Sequence, residues 1–416
     1  MKPWTQEEES GRVGCGPLGP PLSEVQRPLR QQVFERVRSE GTASRSGVAK
    51  DLGLSAATVG GLVGDLALAG LLEEVESPRE AGRGRPAVAL AVRGSAYHVV
   101  GMKIGDREAT AVLADFAGAT LATASLPRPA GPMRLAELVE VISALFLRVS
   151  AGQTVSWLGI GMPGFVEPGA GTVQWSSFLW ERGEPLAAAV QQRLGVPVSV
   201  DNDANLVALA ELWFGAGRAL ADFAVVTIEH GVGMGFVMNH RLYRGARGLG
   251  MELGHTKVAL DGALCRCGQR GCLEAYVADY ALAREAVTAL NWGHRDGAPQ
   301  SVLLESLYDH AKAGNPLALS IFRRAGRYLA AGLSNVINLF DPALIILSGE
   351  RMRYDYLYAA ETLAEMESLT IATGRPKPPI EVHARGDLLW ARGAAALALS
   401  DLTDRLLPSA RPPAMG

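Results

Sequence analysis

The sequence predicts an α/β protein: an N-terminal winged helix-turn-helix followed by a two-lobed fold of mixed sheets flanked by helices. Three observations predict this. A tri-helical pattern punctuated by glycines runs from Leu29 to Val75, and two short β-like runs around a basic loop adjoin it. From Tyr97 onward, apolar strands and amphipathic helices succeed one another. The length, 416 residues, exceeds what one core organises, at roughly 100–200 residues per domain.

Composition and motif shifts divide the chain as follows. Residues 1–25, rich in Gly, Pro and Glu, are expected to be a disordered tail. Residues 26–93 form the winged helix-turn-helix. Residues 94–205 form a first lobe, completed by a C-terminal helix at 390–406. Residues 206–389 form a second lobe with a metal cluster, and 407–416 a second tail.

Within the head, Val33, Phe34 and Val37 sit at helical spacing until Gly41. Ser44 or Ser46 caps a second helix through Val48, Ala49 and Leu52, which Gly53 ends. Ser55 caps a third helix with Val59, Leu62, Val63, Leu66 and Leu71 on its apolar face. In a helix-turn-helix the third helix enters the major groove by its first turn, so Ser55, Ala56 and Thr58 are the candidate base contacts. Arg45 and Lys50 are candidate phosphate contacts. Gly60, Gly61 and Gly64 work against that helix, at about 1 kcal/mol each relative to Ala. The runs 72–76 and 87–92 read as wing strands around a loop holding Arg83-Gly84-Arg85-Pro86. Arg83 and Arg85 suit a narrow minor groove; the same loop also reads as an ordinary solvated turn.

Strands are expected at 98–104, 109–114, 120–125, 156–161, 196–200, 223–228, 235–238 and 344–347. Helices are expected at 135–149, 273–290, 301–313, 317–339 and 391–406. No apolar run spans a bilayer and no secretory leader is evident, so a cytoplasmic protein is expected. Net charge is −3, which confines any nucleic-acid site to a local patch.

Three of the 4 cysteines crowd into Cys265-x-Cys267-Gly-x-x-Gly-x-Cys272, followed by Glu274. Thiolates favour tetrahedral zinc, and a structural site needs a fourth ligand; His255 in Gly254-His255-Thr256 is the best candidate. The alternative is three buried free thiols. Asn202-Asp203, at the end of an apolar strand, reads either as part of a ligand site or as a helix cap.

Several motifs together resemble one family. They are Gly159-Ile-Gly161-Met-Pro163-Gly164, Val200-Asp-Asn202-Asp203-Ala-Asn205, Leu242-Tyr-Arg-Gly245-Ala, Glu252-Leu-Gly254-His255 and the cysteine cluster. From about Leu29 to Leu406 the chain resembles the ROK family (repressors, open reading frames and sugar kinases). The resemblance implies an actin-like sugar-kinase fold with a cleft between lobes. It implies that Asn202, Asp203, Glu252, His255 and Glu274 line a sugar site, with His255 serving zinc as well. Asp203 corresponds to the base that activates a sugar hydroxyl in kinase members.

The sequence departs from the kinases at the nucleotide side. Their first strand ends in Asp-x-Gly-Gly-Thr, which cradles ATP phosphates and magnesium. Here the segment is Lys103-Ile104-Gly105-Asp106-Arg107. The second loop, Ile228-Glu229-His230-Gly231-Val-Gly233-Met-Gly235, lacks their Gly-Thr-Gly opening, and an adenosine-side Gly-Gly is reduced to Ser348-Gly349. Ser177 stands where many members carry a sugar-contacting asparagine. The expectation is a DNA-binding, sugar-responsive regulator with structural zinc and a vestigial base at Asp203. It would act as a homodimer or homotetramer on operator DNA. The alternatives are an ATP-dependent sugar kinase with an accessory head, and a repressor governed by a protein partner or phosphosugar.

Overall fold

In the computed structural model the described residues are 14–19, 27–76, 88–129, 131–291, 299–349, 352, 355, 359–372, 374, 376–383, 386 and 388–408. The chain divides into two units. One comprises Met1–Ala219 with Trp390–Gly416, and the other Leu220–Leu389.

The first unit opens with helices α1 (Leu29–Glu40), α2 (Arg45–Leu52) and α3 (Ala56–Leu68). Gly41 and Gly53 end α1 and α2 with positive φ, and Ser44 and Ser55 cap α2 and α3 by accepting from Gly47 N and Thr58 N. The chain bends by 118° between α2 and α3, within the range of helix-turn-helix motifs. Val33, Phe34, Val37, Val48, Val59, Val63 and Leu66 close the core of this head. Strands β1 (Leu72–Glu76) and β2 (Val88–Val92) pair antiparallel, with Leu72 opposite Val92. The loop carrying Arg83 and Arg85 lies outside the described residues.

The same unit continues through β3 (His98–Ile104), β4 (Glu108–Asp115), β5 (Thr120–Pro127), α4 (Leu135–Ser150) and β6 (Trp157–Met162). The hairpin β7 (Phe165–Glu167) and β8 (Thr172–Trp175), α5 (Leu186–Leu194), β9 (Val198–Asn202) and α6 (Asp203–Phe214) follow. The five-stranded sheet has the order β5-β4-β3-β6-β9, with β6 and β9 parallel to β3.

The second unit holds β10 (Phe223–Ile228), β11 (Val232–Met238), β12 (Arg241–Tyr243), α7 (Glu274–Val277), α8 (Asp279–Ala289) and α9 (Gln300–Lys312). It ends with α10 (Pro316–Phe340), β13 (Ile345–Ser348), α11 (Ala360–Leu369) and β14 (Ile380–His383). Its sheet, β12-β11-β10-β13-β14, repeats the first plan: an antiparallel meander, then two parallel strands. Asn315 and Pro316 start α10 by the preferred cap and first-turn chemistry, and its apolar stripe of Ile321, Phe322, Leu329 and Leu333 fills the core. Among the described residues no single helix is long and apolar enough to cross a membrane.

The C-terminal helix α12 (Leu388–Leu406) returns to the first unit. A Cβ on Gly101 of β3 would lie 2.1 Å from Ala391 O, and one on Gly159 of β6 would lie 2.0 Å from Ala394 O. Two adjacent strands thus surrender their side chains so that the α12 backbone rests directly on the sheet. A Cβ on Gly393 would in turn lie 1.9 Å from Leu206 O, so α6 is packed equally closely on α12.

The two units divide at Ala219/Leu220, with α6 close-packed on α12 in the first. One expectation needs correction. The single helix expected over 273–290 is two, since extended Ala278 breaks it and Asp279 N donates to Glu229 O at 3.2 Å. In the leader, residues 14–19 bond through their backbone to the folded unit.

Replacing Gly101 or Gly159 by Val is expected to destabilise the first unit by about 2 kcal/mol or more. Gly169→Ala, where nothing lies within 4 Å, should be close to neutral. Thermal and urea unfolding of the purified variants measure the contrast.

Candidate functional site

The cysteine knuckle begins where Leu264 and Arg270 form a bridge. Cys265 N donates to Gln269 O at 2.8 Å and Gly268 N to Cys265 O at 3.0 Å, turning the chain within four residues. Gly271 is indispensable, because a Cβ there would lie 1.7 Å from Ala259 O. The turn brings the ligand atoms of His255, Cys265, Cys267 and Cys272 within 4.8 Å of one another. Cys267 and Cys272 Sγ are 3.7 Å apart, as are Cys265 Sγ and His255 Nδ1. A tetrahedral zinc with thiolate bonds of roughly 2.3 Å requires sulfur–sulfur edges of about 3.8 Å. The four donors therefore match a metal ion in type, number and spacing.

Neighbours that the sequence did not single out complete the cluster. Lys257 Nζ donates to Cys272 Sγ at 2.9 Å and to His255 O at 3.1 Å. The bond to Cys272 raises the Lys257 pKa and keeps a positive charge beside the thiols. Burial raises the Cys265 thiol pKa, so without a cation this sulfur favours its neutral form. The Tyr280 hydroxyl lies 3.5 Å from Cys265 Sγ and 3.4 Å from Glu274 Oε1.

Glu274 joins this cluster to the second loop. Its Oε2 accepts from Val232 N at 3.3 Å, and a Cβ on Gly231 would lie 2.9 Å from that oxygen. Glu252 opens the short turn 253–255, where His255 N donates to Glu252 O at 3.0 Å. Gly254 lets this turn meet β11, since a Cβ would lie 2.1 Å from Val232 O. His230 Nδ1 lies 3.3 Å from Oδ2 of Asp279, a carboxylate only 1 % exposed. In the second unit, then, Gly254 and Glu274 meet the start of β11, while His255 joins the cysteine cluster.

Asn202 and Asp203 sit at the N-terminus of α6 in the first unit. The cap anticipated as an alternative is present: Asn202 Oδ1 accepts from Ala204 N at 2.9 Å, and its Nδ2 donates to Gly164 O at 2.9 Å. Asp203 Oδ1 also accepts from Ala204 N, at 2.9 Å. Asp201, absent from the sequence-based set, is buried and anchors the corner by accepting from Asn202 N and Asn205 Nδ2, both at 2.8 Å. Ser177 is exposed, whereas Ser176 is buried with its hydroxyl donating to Pro163 O at 2.7 Å.

Lys103 is buried, with its ammonium 4.0 Å from the centre of the Trp390 ring on α12. The following turn is held by Arg128. Its guanidinium donates to Gly105 O at 2.9 Å, Asp106 O at 3.0 Å and Gly131 O at 3.0 Å, and it covers the Phe178 ring at 4.1 Å. No local pattern marks Arg128 in the sequence.

On the head, Lys50, Ser55, Ala56 and Thr58 are exposed. Ser55 and Thr58 hydroxyls are 2.8 Å apart, and Arg45 pairs with Glu74 at 2.6 Å. The outward face of α3 presents Ala57, Gly60, Gly61 and Gly64, with nothing within 4 Å of a Cβ at any of the three glycines.

With this geometry established, comparison with known proteins places the chain. It is 32% identical over 259 residues to the glucokinase of Streptomyces coelicolor, covering 60% of this chain and 81% of that protein. It is 27% identical over 370 residues to the DNA-binding transcriptional dual regulator NagC of Escherichia coli, covering 88% and 90%. Among solved structures, a ROK-family transcriptional regulator homologous to the E. coli MLC protein superposes with TM-score 0.76 at 26% identity, over 91% of this chain and 97% of that one. A Streptomyces griseus glucokinase in complex with glucose and AMPPNP gives TM-score 0.64 at 32% identity, over 73% and 99%. The family model matches residues 99–401, and the chain belongs to the ROK family.

Proposed function

We propose that this protein is a sugar-responsive transcriptional regulator, a repressor whose operator binding is relieved by its sugar. The observation that carries the reading is a helix-turn-helix over Leu29–Leu68, ahead of the family match that begins at residue 99. The relatives support it. The regulators align over nearly the whole chain, whereas the glucokinases align over 60–73% of it.

In this reading α3 lies in the major groove with Ser55, Ala56 and Thr58 facing bases, and Arg45 and Lys50 hold phosphates. Arg83 and Arg85 reach the minor groove. Exposed glycines on α3 favour close approach of its backbone to DNA. Asn202, Asp203, Glu252, His255 and Glu274 bind the sugar, whose hydroxyls suit carboxylate and amide partners. His255, Cys265, Cys267 and Cys272 hold a structural zinc, which would fix the 253–274 segment without taking part in chemistry. A symmetric dimer or tetramer presents two heads to a near-palindromic site. The sugar acts through its different affinity for the DNA-competent and released states.

Loss of ATP binding is supported by the first turn. Lys103 stands at the kinase aspartate position, and Arg128 engages the carbonyls of Gly105 and Asp106. One observation favours a second reading, an ATP-dependent sugar kinase: Asp203 is retained, and the chain is 32% identical to glucokinase.

Three outcomes are expected. Coupled ATP-consumption assays across common hexoses should show no turnover; enzyme-like rates abolished by Asp203→Asn would establish the kinase instead. Elemental analysis should give one zinc per chain, lost in Cys272→Ser together with a lowered Tm. Gly60→Ala and Gly61→Ala should each stabilise the head by about 1 kcal/mol yet weaken binding to an operator selected from random-sequence DNA. Unchanged operator affinity in both would remove α3 from the interface.

A further inference from the structure

The leader segment Gly14–Gly19 joins three elements at once. Cys15 N donates to Arg38 O at the end of α1 at 3.0 Å, Gly16 N to Trp213 O at the end of α6 at 2.9 Å, and Leu18 N to Arg218 O at 2.8 Å. Side chains reciprocate. Arg218 Nε donates to Gly16 O at 3.0 Å and its Nη2 to Ser39 O, while Arg36 Nη1 donates to Leu18 O at 2.9 Å. The fit is close: a Cβ on Gly14 would lie 2.1 Å from Ser39 O, and one on Gly118 would lie 2.4 Å from Cys15 Sγ.

Cys15 is 2 % exposed, and its thiol donates to Ala117 O at 3.0 Å. Burial pushes its pKa up to about 11 despite Arg38 and Arg218 nearby. It therefore stays a neutral plug at physiological pH.

The segment lies where the head meets the first lobe. The Arg38 guanidinium stacks 4.5 Å from the Trp213 ring centre and donates to Thr403 Oγ1 of α12 at 2.8 Å. Gln31 donates to Asp404 at 2.6 Å, and the Phe34 and Phe116 rings lie 5.0 Å apart. Helix α6, whose far end seats Trp213 against Arg38, begins at Asp203.

We propose that residues 14–19 are a latch that fastens helix α1 of the head to the α6–Arg218 corner and sets the head's orientation on the lobe. The latch joins α1 to the far end of the helix that begins at Asp203, so its regulatory meaning rests on the DNA-binding, sugar-sensing reading above. The fastening itself does not. Releasing it should leave both folds intact while loosening the head.

Hydrogen exchange followed by mass spectrometry tests this on the full chain, a truncation lacking residues 1–19, and Gly14→Val, which expels the segment while keeping the chain length. In both altered proteins α1 amides (29–40) should exchange at least tenfold faster, with α8–α10 unchanged. Exchange at α1 equal to that of the full chain in either protein would overturn the latch. A second arm adds glucose, N-acetylglucosamine or xylose. A sugar that binds by thermal shift should alter α1 exchange in the full chain and lose that effect in the truncation. Persistence of the effect would overturn the latch as a coupling element. If none of the sugars binds, the sugar-sensing reading fails while the first arm still decides the fastening.

Discussion

The first unit depends on the close seating of α12. Its backbone rests on two strand glycines, Gly101 and Gly159, and its Gly393 admits α6 from the other side. Without side chains between them, helix and sheet approach to van der Waals contact, and any methyl group there must displace backbone. The helix then serves two ends. Near its start Trp390 receives the Lys103 ammonium, and near its end Thr403 and Asp404 receive Arg38 and Gln31 of the head. One helix thus ties the turn after β3 and the helix-turn-helix head to the same sheet.

Buried cations recur in this unit, and an aromatic face lies beside each of them. Arg38 lies over Phe34 and Trp213, Arg128 over Phe178 with carbonyl acceptors, and Lys103 over Trp390. Burial lowers the pKa of Arg38 and Arg128, as desolvation of a charge requires. Aromatic faces and backbone oxygens offset part of that penalty while fixing orientation. Arg128 shows the consequence: its guanidinium holds the carbonyls of Gly105 and Asp106 and so fixes the course of that turn.

In the second unit the cysteine knuckle organises what lies around it. Glu274 starts α7 one residue beyond Cys272-Leu273 and reaches both Cys265 and Val232 N. Gly254 and Gly231 leave room for these approaches. Glu274 and His255 are thereby held against the knuckle, both in reach of Cys265.

The sequence by itself determined what is local. Ser44, Ser55, Gly41 and Gly53 marked the head helices because caps and terminators act within a few residues. Period-2 and period-3.6 patterns marked most strands and helices of both units, and the spacing of Cys265, Cys267 and Cys272 marked a metal knuckle. The strands β7, β8, β12 and β14 were too brief for periodicity to separate from loop, and the helices α5 and α11 were not read. Only the tertiary structure decided that Asn202 holds Gly164, that Lys103 turns onto Trp390, that Arg128 laces the first turn, and that Cys15 is packed rather than loose. Each depends on partners far away in the chain, and such pairings follow from how helices and sheets dock, which no window of neighbouring residues encodes.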